Sequence, residues 1–254
     1  MAITIKSERE IELMAEAGKI LERVHNELEK ALHPGMSTKD IDTLGEKIIR
    51  SYGCIPSFLN YNGYPASICV SVNQEVVHGI PDKHRIIHEG DIVSLDAGVI
   101  YKGYHSDAAR THAVGEVSEE AKKLIQVTKE CFFEGIKYAK AGNHLFDISG
   151  AIGRYAEERG YGVVRDLCGH GIGTALHEAP EIPNYERGPK YVKLRPGMTL
   201  AIEPMINIGT YEVDWLDDDW TVVTRDGSLS AHYENTILIT EGEPRILSLT
   251  CDNE

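Results

Sequence analysis

The chain repeats itself. Set 107 positions apart, Gly35 falls on Gly142, Asp40 on Asp147, Ile41 on Ile148 and Gly53 on Gly160, and further on Gly90 falls on Gly197 and Asp96 on Glu203. A constant offset running through several elements marks a duplicated unit. Each copy reads as helix, helix, strand. In the first, Ser7 with Glu10 makes a capping signature ahead of Ile11, Met14, Gly18, Leu21, His25, Leu28 and Leu32, whose spacing predicts a helix to about residue 32. Pro34-Gly35 stops it, and Ser37 with Asp40 starts a second helix ending near Gly53. In the second, Ser118 precedes a run with Leu124, Val127, Cys131, Gly135 and Tyr138 on one face, then a break at Gly142, a short helix through Asp147 and Ile148, and Gly160. Strands are predicted over Cys69–Val77 and Asp91–Ile100. No Pro/Gly/Ser-rich linker interrupts the chain, so residues 1–254 read as one domain. With 42 % hydrophobic residues it can build a real core.

Asp96 follows Ile-Val-Ser-Leu and Glu203 follows Thr-Leu-Ala-Ile, so each half ends an apolar strand on an acid. Burying a carboxylate there is costly unless it is paired or bound to metal. Asp107 lies 11 residues after Asp96, which on one straight strand would put the two on opposite faces. If Lys102-Gly103 makes a two-residue turn, Tyr101 faces Tyr104, Asp96 faces Ala109, and Asp107 becomes the diagonal neighbour of Asp96 on one face. A second hairpin is predicted at Asp226-Gly227, with Glu234 on its second strand beside Thr236 and Leu238. The net charge of −14 is the wrong sign for a nucleic-acid backbone binder, whereas excess carboxylate suits metal.

Three histidines join the acids. His170 lies in CGHGIGTALHEAP between glycines, where backbone or ligand can approach closely. GHGIG is not the G-x-G-x-x-G nucleotide loop, and prolines follow it instead of a long helix. His177 precedes Glu178, but no HExxH exists, which excludes a zincin site. His78 in VHGIP echoes His177 in LHEAP, each with proline three residues on. The five cysteines include no CxxC and are expected to be reduced thiols. The N-terminal stretch has no apolar core of signal-peptide length, and no run of about 18 apolar residues occurs; a cytoplasmic protein is expected.

Taken together, Asp96 in SLDAG, Asp107 in HSDAART, His170 in GHGIG, Glu203 in IEPM and Glu234 in YENT resemble the type I methionine aminopeptidases in their bacterial form, over nearly the whole chain. Prolidases and aminopeptidase P resemble it in ligands but carry a large N-terminal domain, for which Asp96 comes too early. The type II enzymes carry a long insertion between the ligand His and the next Glu, and only 33 positions separate His170 from Glu203. A module of this fold that has lost catalysis and only binds partners would lack metal ligands, and all five are present.

The resemblance implies an α+β pita-bread fold, two pseudo-symmetric αβ halves around a curved antiparallel sheet. It implies two divalent ions, with Mn, Fe(II), Co and Zn all compatible with the ligand types. Asp107 and Glu234 would bridge them, Asp96 would chelate one, and His170 and Glu203 would complete the other. It makes His78, His177 and Glu203 catalytic: His177 stabilising the tetrahedral intermediate, His78 contacting the substrate amide, Glu203 carrying a proton to the leaving amine. Phe58, Tyr61, Tyr64, Cys69, His78, His177 and Trp220 would contact substrate, with a sulfur-bearing, aromatic pocket suited to a thioether. Phe58 stands where a small Cys is common and Leu176 where Phe is common, a pair expected to trade bulk across that pocket. Asn73 and Ser230 match positions that offer backbone oxygens to a monovalent cation. The implied substrates are nascent polypeptides beginning Met followed by a small residue. Ribosome association stays an open reading, with no nucleic acid bound directly, no membrane, and a monomer expected.

Overall fold

Helix α1, Glu8–Ala31, begins where the Ser7 backbone N–H donates to Glu10 Oε2 at 2.7 Å, and α2, Thr38–Ser51, begins where Asp40 N donates to Ser37 Oγ and Ser37 N to Asp40 Oδ2. These caps satisfy N–H groups that a helix start leaves unpaired. In the second half, α3 spans Glu119–Ile136 and α4 spans Leu145–Glu157. The computed structural model describes residues 2–188 and 192–249. Tyr138, predicted on the inner face of the third helix, lies beyond its end and is exposed.

The duplication is visible in the backbone. Gly35 and Gly142 have φ of 94° and 92°, Gly53 and Gly160 70° and 83°, Gly90 and Gly197 95° and 85°. All three pairs occupy the left-handed region that glycine tolerates. The bridge Ser37↔Ile86 recurs as His144↔Lys193, and the hydrogen bond Gly35 N→Ile87 O recurs as Gly142 N→Leu194 O, each 107 residues on. The helix starts correspond too, since His144 N donates to Asp147 Oδ2 as Ser37 N does to Asp40.

Each pair of helices covers one sheet. α1 and α2 bury Leu21, Val24, Leu28, Ile41 and Ile49 against Ile68, Val70, Leu95 and Val99. α3 and α4 bury Leu124, Phe132, Ile148 and Ile152 against Leu200, Ile202 and Ile237. In the first half, strand Ile92–Tyr101 pairs antiparallel with Tyr104–Ala113 on one side and with Ile68–Val72 on the other. The predicted register holds: Tyr101 faces Tyr104 and Asp96 faces Ala109. In the second half, antiparallel strands run in the spatial order Glu178–Ile182, Gly169–Gly171, Thr199–Ile202, Asn235–Leu238, Arg245–Ile246. The halves are joined where Glu234 N donates to Ala109 O at 3.0 Å, and where Thr236 Oγ1 takes Asp107 N and donates to Asp107 O, both at 2.9 Å.

Two predicted elements differ. The strand expected over Cys69–Val77 breaks after Val72. Asn73 turns with φ 59°, its side chain tied to Asp91 Oδ1 and to Ile92 N, and Glu75–Val77 joins another sheet beside Val222–Thr224. At Asp226-Gly227 a turn does form, with Gly227 N donating to Thr224 O, but no ladder follows. Val222–Thr224 pairs with Val213–Trp215 and Glu75–Val77, whereas Ser230–His232 pairs with Met205–Asn207. Asp226 explains the divergence: its carboxylate accepts from Thr210 N and Ser228 N, spending on the loop the contacts that would start a hairpin.

Candidate metal centre

Every element that ends on one of the five predicted ligands points it into a single cleft. Asp96 sits mid-strand on Ile92–Tyr101, and Asp107, opposite Gly98 in the neighbouring strand, lies one diagonal away. His170 is the central residue of Gly169–Gly171, Glu203 follows Thr199–Ile202, and Glu234 precedes Asn235–Leu238. Ligand atoms of Asp107, His170 and Glu234 all lie within 4.8 Å of one another. His170 Nε2 is 3.6 Å from Glu203 Oε1 and 3.9 Å from Asp107 Oδ2. The glycines beside His170 are required by neighbouring backbone: a Cβ at Gly169 would strike the Ala201 carbonyl, and one at Gly171 the Ala179 carbonyl. Gly171→Ala is therefore expected to lower stability by about 1–3 kcal/mol, seen calorimetrically as a fall in Tm of about 2–10 °C.

The donor set fits divalent cations. Asp96, Asp107 and Glu234 are buried, and Asp96 Oδ1, Asp107 Oδ1 and Glu234 Oε1 have no hydrogen-bond partner within the described chain. Burial pushes the Asp96 carboxyl up to about 8. Burial, then mutual repulsion, raises Asp107, Glu203 and Glu234 well above the carboxylate range. Four carboxyls crowded together, three of them buried, repel one another and are compensated by positive charge placed among them. His170 suits the same role: burial lowers its pKa to about 3, so its ring is neutral, and its Nδ1 lies 2.8 Å from Gly171 O. The proton therefore sits on Nδ1 and the Nε2 lone pair faces the carboxylates, the arrangement of a metal-ligating imidazole with its outer bond made.

The cleft, about 130 Å³, is walled by the predicted side-chain pocket: Phe58, Tyr61, Tyr64, Cys69, His78, Leu176, His177 and Trp220. Cys69 is the cross-strand partner of Asp96, which places thiol and carboxylate in one layer. The Tyr64 and Trp220 rings meet edge-on at 5.1 Å, and the Tyr64 hydroxyl donates to Gly79 O, so its polar end is satisfied. Phe58 and Leu176 share one apolar cluster with Met14, Cys69 and Ile172. Tyr61 Oη lies 2.8 Å from His177 Nδ1, and the His177 ring stands edge-on to His170 at 4.2 Å. Burial lowers the His78 pKa to about 4, and its backbone is held at φ 60°, strain of a kind that accumulates at functional sites.

The model of metallopeptidase family M24 matches residues 12–241. The chain belongs to that family. This M24 chain is 59 % identical over 247 residues to the methionine aminopeptidase of Clostridium acetobutylicum, covering 97 % of the chain and 99 % of the relative. The solved methionine aminopeptidase of Thermotoga maritima superposes with a TM-score of 0.95 at 46 % identity, covering 98 % of this chain and all of that one. An Xaa-Pro dipeptidase from Bacillus anthracis shares the fold at a TM-score of 0.78 and 27 % identity, and the match covers 97 % of this chain but 62 % of the dipeptidase. The fold is the pita-bread fold, and the chain is a metal-dependent hydrolase of the aminopeptidase type.

Some residues of the site escaped sequence reasoning. His232 is buried with Nε2 3.8 Å from Glu203 Oε2 and 4.0 Å from Glu234 Oε2, and neither ring nitrogen has a hydrogen-bond partner within the described chain. Its signal was present: it stands two residues before Glu234, on the same face of an extended segment. Asn62 lines the cleft, and Asn184 Nδ2 donates to Glu203 O at 2.9 Å, fixing the backbone of that acid. Asn73 and Ser230 lie outside the cleft and are joined by Ser230 N donating to Asn73 O at 2.9 Å. The four cysteines among the described residues are free; Cys251 lies outside them.

Proposed function

We propose that this chain is a methionyl aminopeptidase, one catalytic domain that removes the initiator methionine from nascent polypeptides whose second residue is small. One observation carries the reading: three buried carboxyls, the half-buried Glu203 and a neutral imidazole open directly onto a thioether-sized apolar pocket. Asp96, Asp107, His170, Glu203 and Glu234 would hold two divalent ions, with Asp107 and Glu234 the acids that would serve both. When bound, such ions supply Lewis acidity, lowering the pKa of water and polarising a carbonyl.

The chain's own groups do the rest. Tyr61 Oη lies 2.8 Å from His177 Nδ1; with the hydroxyl as hydrogen-bond donor there, the ring proton of His177 is on Nε2, which is assigned as the donor to the scissile carbonyl oxygen as negative charge develops. His78, neutral at pH 7, contacts the substrate amide. Glu203, at the edge of the cleft between the acids and the histidines, is the group assigned to carry the proton from attacking water to the leaving amine. Tyr64, Cys69 and Trp220 enclose the methionine side chain, with Phe58 and Leu176 closing its end. A methionine side chain takes up much of a cleft of about 130 Å³, and the second residue must fit beside the histidines, which favours small ones. Backbone oxygens of Asn73 and Ser230 are assigned to a monovalent cation. We read the protein as a cytoplasmic monomer whose partners are nascent-chain N-termini, with any ribosome association transient.

The test is release of methionine from Met-Gly-type and Leu-Gly-type peptides after chelation, then after adding Mn, Co or Fe(II). Metal-restored cleavage with a preference for Met on the order of 100-fold is expected. Equal cleavage of both would discard the pocket assignment, and no cleavage with any metal would discard the function.

A further inference from the structure

The segment before α1 is fastened across the loop that carries two walls of the cleft. Lys6 reaches down to Glu178, Nζ to Oε2 at 2.7 Å, with both side chains almost wholly buried at 5 % and 10 % exposure. Thr4 Oγ1 donates to the same Oε2 at 2.6 Å and also contacts Lys6 Nζ, while Lys6 N donates to Gly197 O at 2.8 Å. The other oxygen of Glu178 takes the backbone N–H of Ala175 at 3.3 Å. A single carboxylate thus ties the N-terminal segment to the turn Gly173–Ala175, which in turn holds the first-half hairpin by Gly173 O accepting from His105 N at 2.8 Å. Gly173 is pressed against this pair: a Cβ there would meet Lys6 Cε at 2.5 Å.

Between the turn and Glu178 lie Leu176 and His177, one a wall of the apolar pocket, the other the ring beside His170. Glu178 opens the strand paired to Gly171, with a register shift at His170/Gly171, so the loop has no regular ladder to set its height over the cleft. A buried ion pair is weak evidence for stability, since desolvation offsets most of its attraction; fixing one geometry is the role for which such pairs are better attested.

We propose that Lys6 is a positioning residue: acting through Glu178, it sets the 173–178 loop so that Leu176 and His177 face the substrate. Lys6 touches no residue of the metal centre, and its whole effect passes through the loop. The proposal rests on the reading of Leu176 and His177 given above, and it extends that reading to a segment far from the site in sequence.

The experiment uses the metal-loaded full chain and three variants, Lys6→Met, Glu178→Gln and the double. Two readouts are taken: the ratio of kcat/KM for Met-Gly-type over Leu-Gly-type peptides, which is independent of the fraction of active enzyme, and amide hydrogen exchange of peptides covering 173–178 against those covering 92–101. Each single variant is expected to lower the selectivity ratio and the Met kcat/KM by about 10-fold, and to speed exchange in 173–178 but not in 92–101. The double variant is expected to be no worse than either single, because removing one partner alone leaves a buried charge unpaired. Wild-type selectivity and wild-type exchange in 173–178 for Lys6→Met would overturn the proposal, whatever happens to Tm. Additive losses in the double would overturn the path through Glu178. If the unmodified enzyme releases no methionine, the functional reading falls, and the exchange data alone still decide whether Lys6 orders the loop.

Discussion

Asp107→Asn is expected to lower kcat/KM for methionine release by on the order of 10³-fold or more, several kcal/mol at about 1.4 kcal/mol per tenfold. The same change is expected to make the metal-stripped protein more stable. Both effects have one origin. Asp107 is held by its backbone, whose N–H and C=O both meet Thr236 Oγ1, so an amide of the same shape keeps those bonds. Its carboxyl, in contrast, is buried with Oδ1 unpartnered and is pushed upward by burial and by Asp96 and Glu203. Asn removes that repulsion, and with it a charge and a lone pair that a shared ligand must supply. Metal analysis should show fewer ions bound per chain than in the unmodified protein, and calorimetry after chelation should show a higher Tm. A lower Tm after chelation would mean the carboxylate serves the fold and not the metal.

The register of the first hairpin was legible because its cause is local. Lys102 and Gly103 both take positive φ, 49° and 86°, the two-residue turn whose twist suits a hairpin, and with turn length set, Asp96 must face Ala109. The duplication was legible for a similar reason: its glycines occupy backbone positions that other residues enter at a cost, so they mark corresponding places in each half. What stayed hidden depends on which distant strand a segment chooses. Cys69–Val77 reads as one apolar run, yet Asn73 breaks it because its side chain finds Asp91 and Ile92 across space. Asp226-Gly227 makes its turn, but Val222–Thr224 and Ser230–His232 leave for different sheets. For His232 the sequence shows only its spacing of two from Glu234; its approach to Glu203, 29 positions earlier and 3.8 Å away, depends on how distant strands pair. The Lys6–Glu178 pair spans 172 positions and has no local signature at all.

Between pH 6.5 and 8 the metal-stripped protein is expected to lose stability while the metal-loaded protein does not. Two groups of residues oppose each other below that window. Burial lowers the pKa values of His25, His78, His105, His112, His170, His177 and His232, so between their native values and about 6.5 the unfolded chain binds protons that the native chain refuses, and stability rises with pH. The carboxyls of Asp96, Asp107, Glu203 and Glu234 act in the other direction. Their native values are raised, that of Asp96 to about 8, so above the unfolded value near about 4 the native chain holds protons the unfolded chain has released, and stability falls as pH rises. Above about 6.5 the histidines are neutral in both states, and only the carboxyl contribution remains. Each extra native proton then costs about 1.4 kcal/mol per pH unit. At about 2–4 °C per kcal/mol for a chain of this size, more than one raised carboxyl gives a drop in Tm on the order of 10 °C across the window. Bound divalent ions hold the same carboxylates deprotonated at every pH in that range, which removes the proton difference and with it the slope. Scanning calorimetry from pH 6.5 to 8, with chelator and with added Mn, measures both curves. Parallel curves would show that these carboxyls do not titrate as a repulsive buried cluster, and a slope present only without metal would tie the strain to the site the ions occupy.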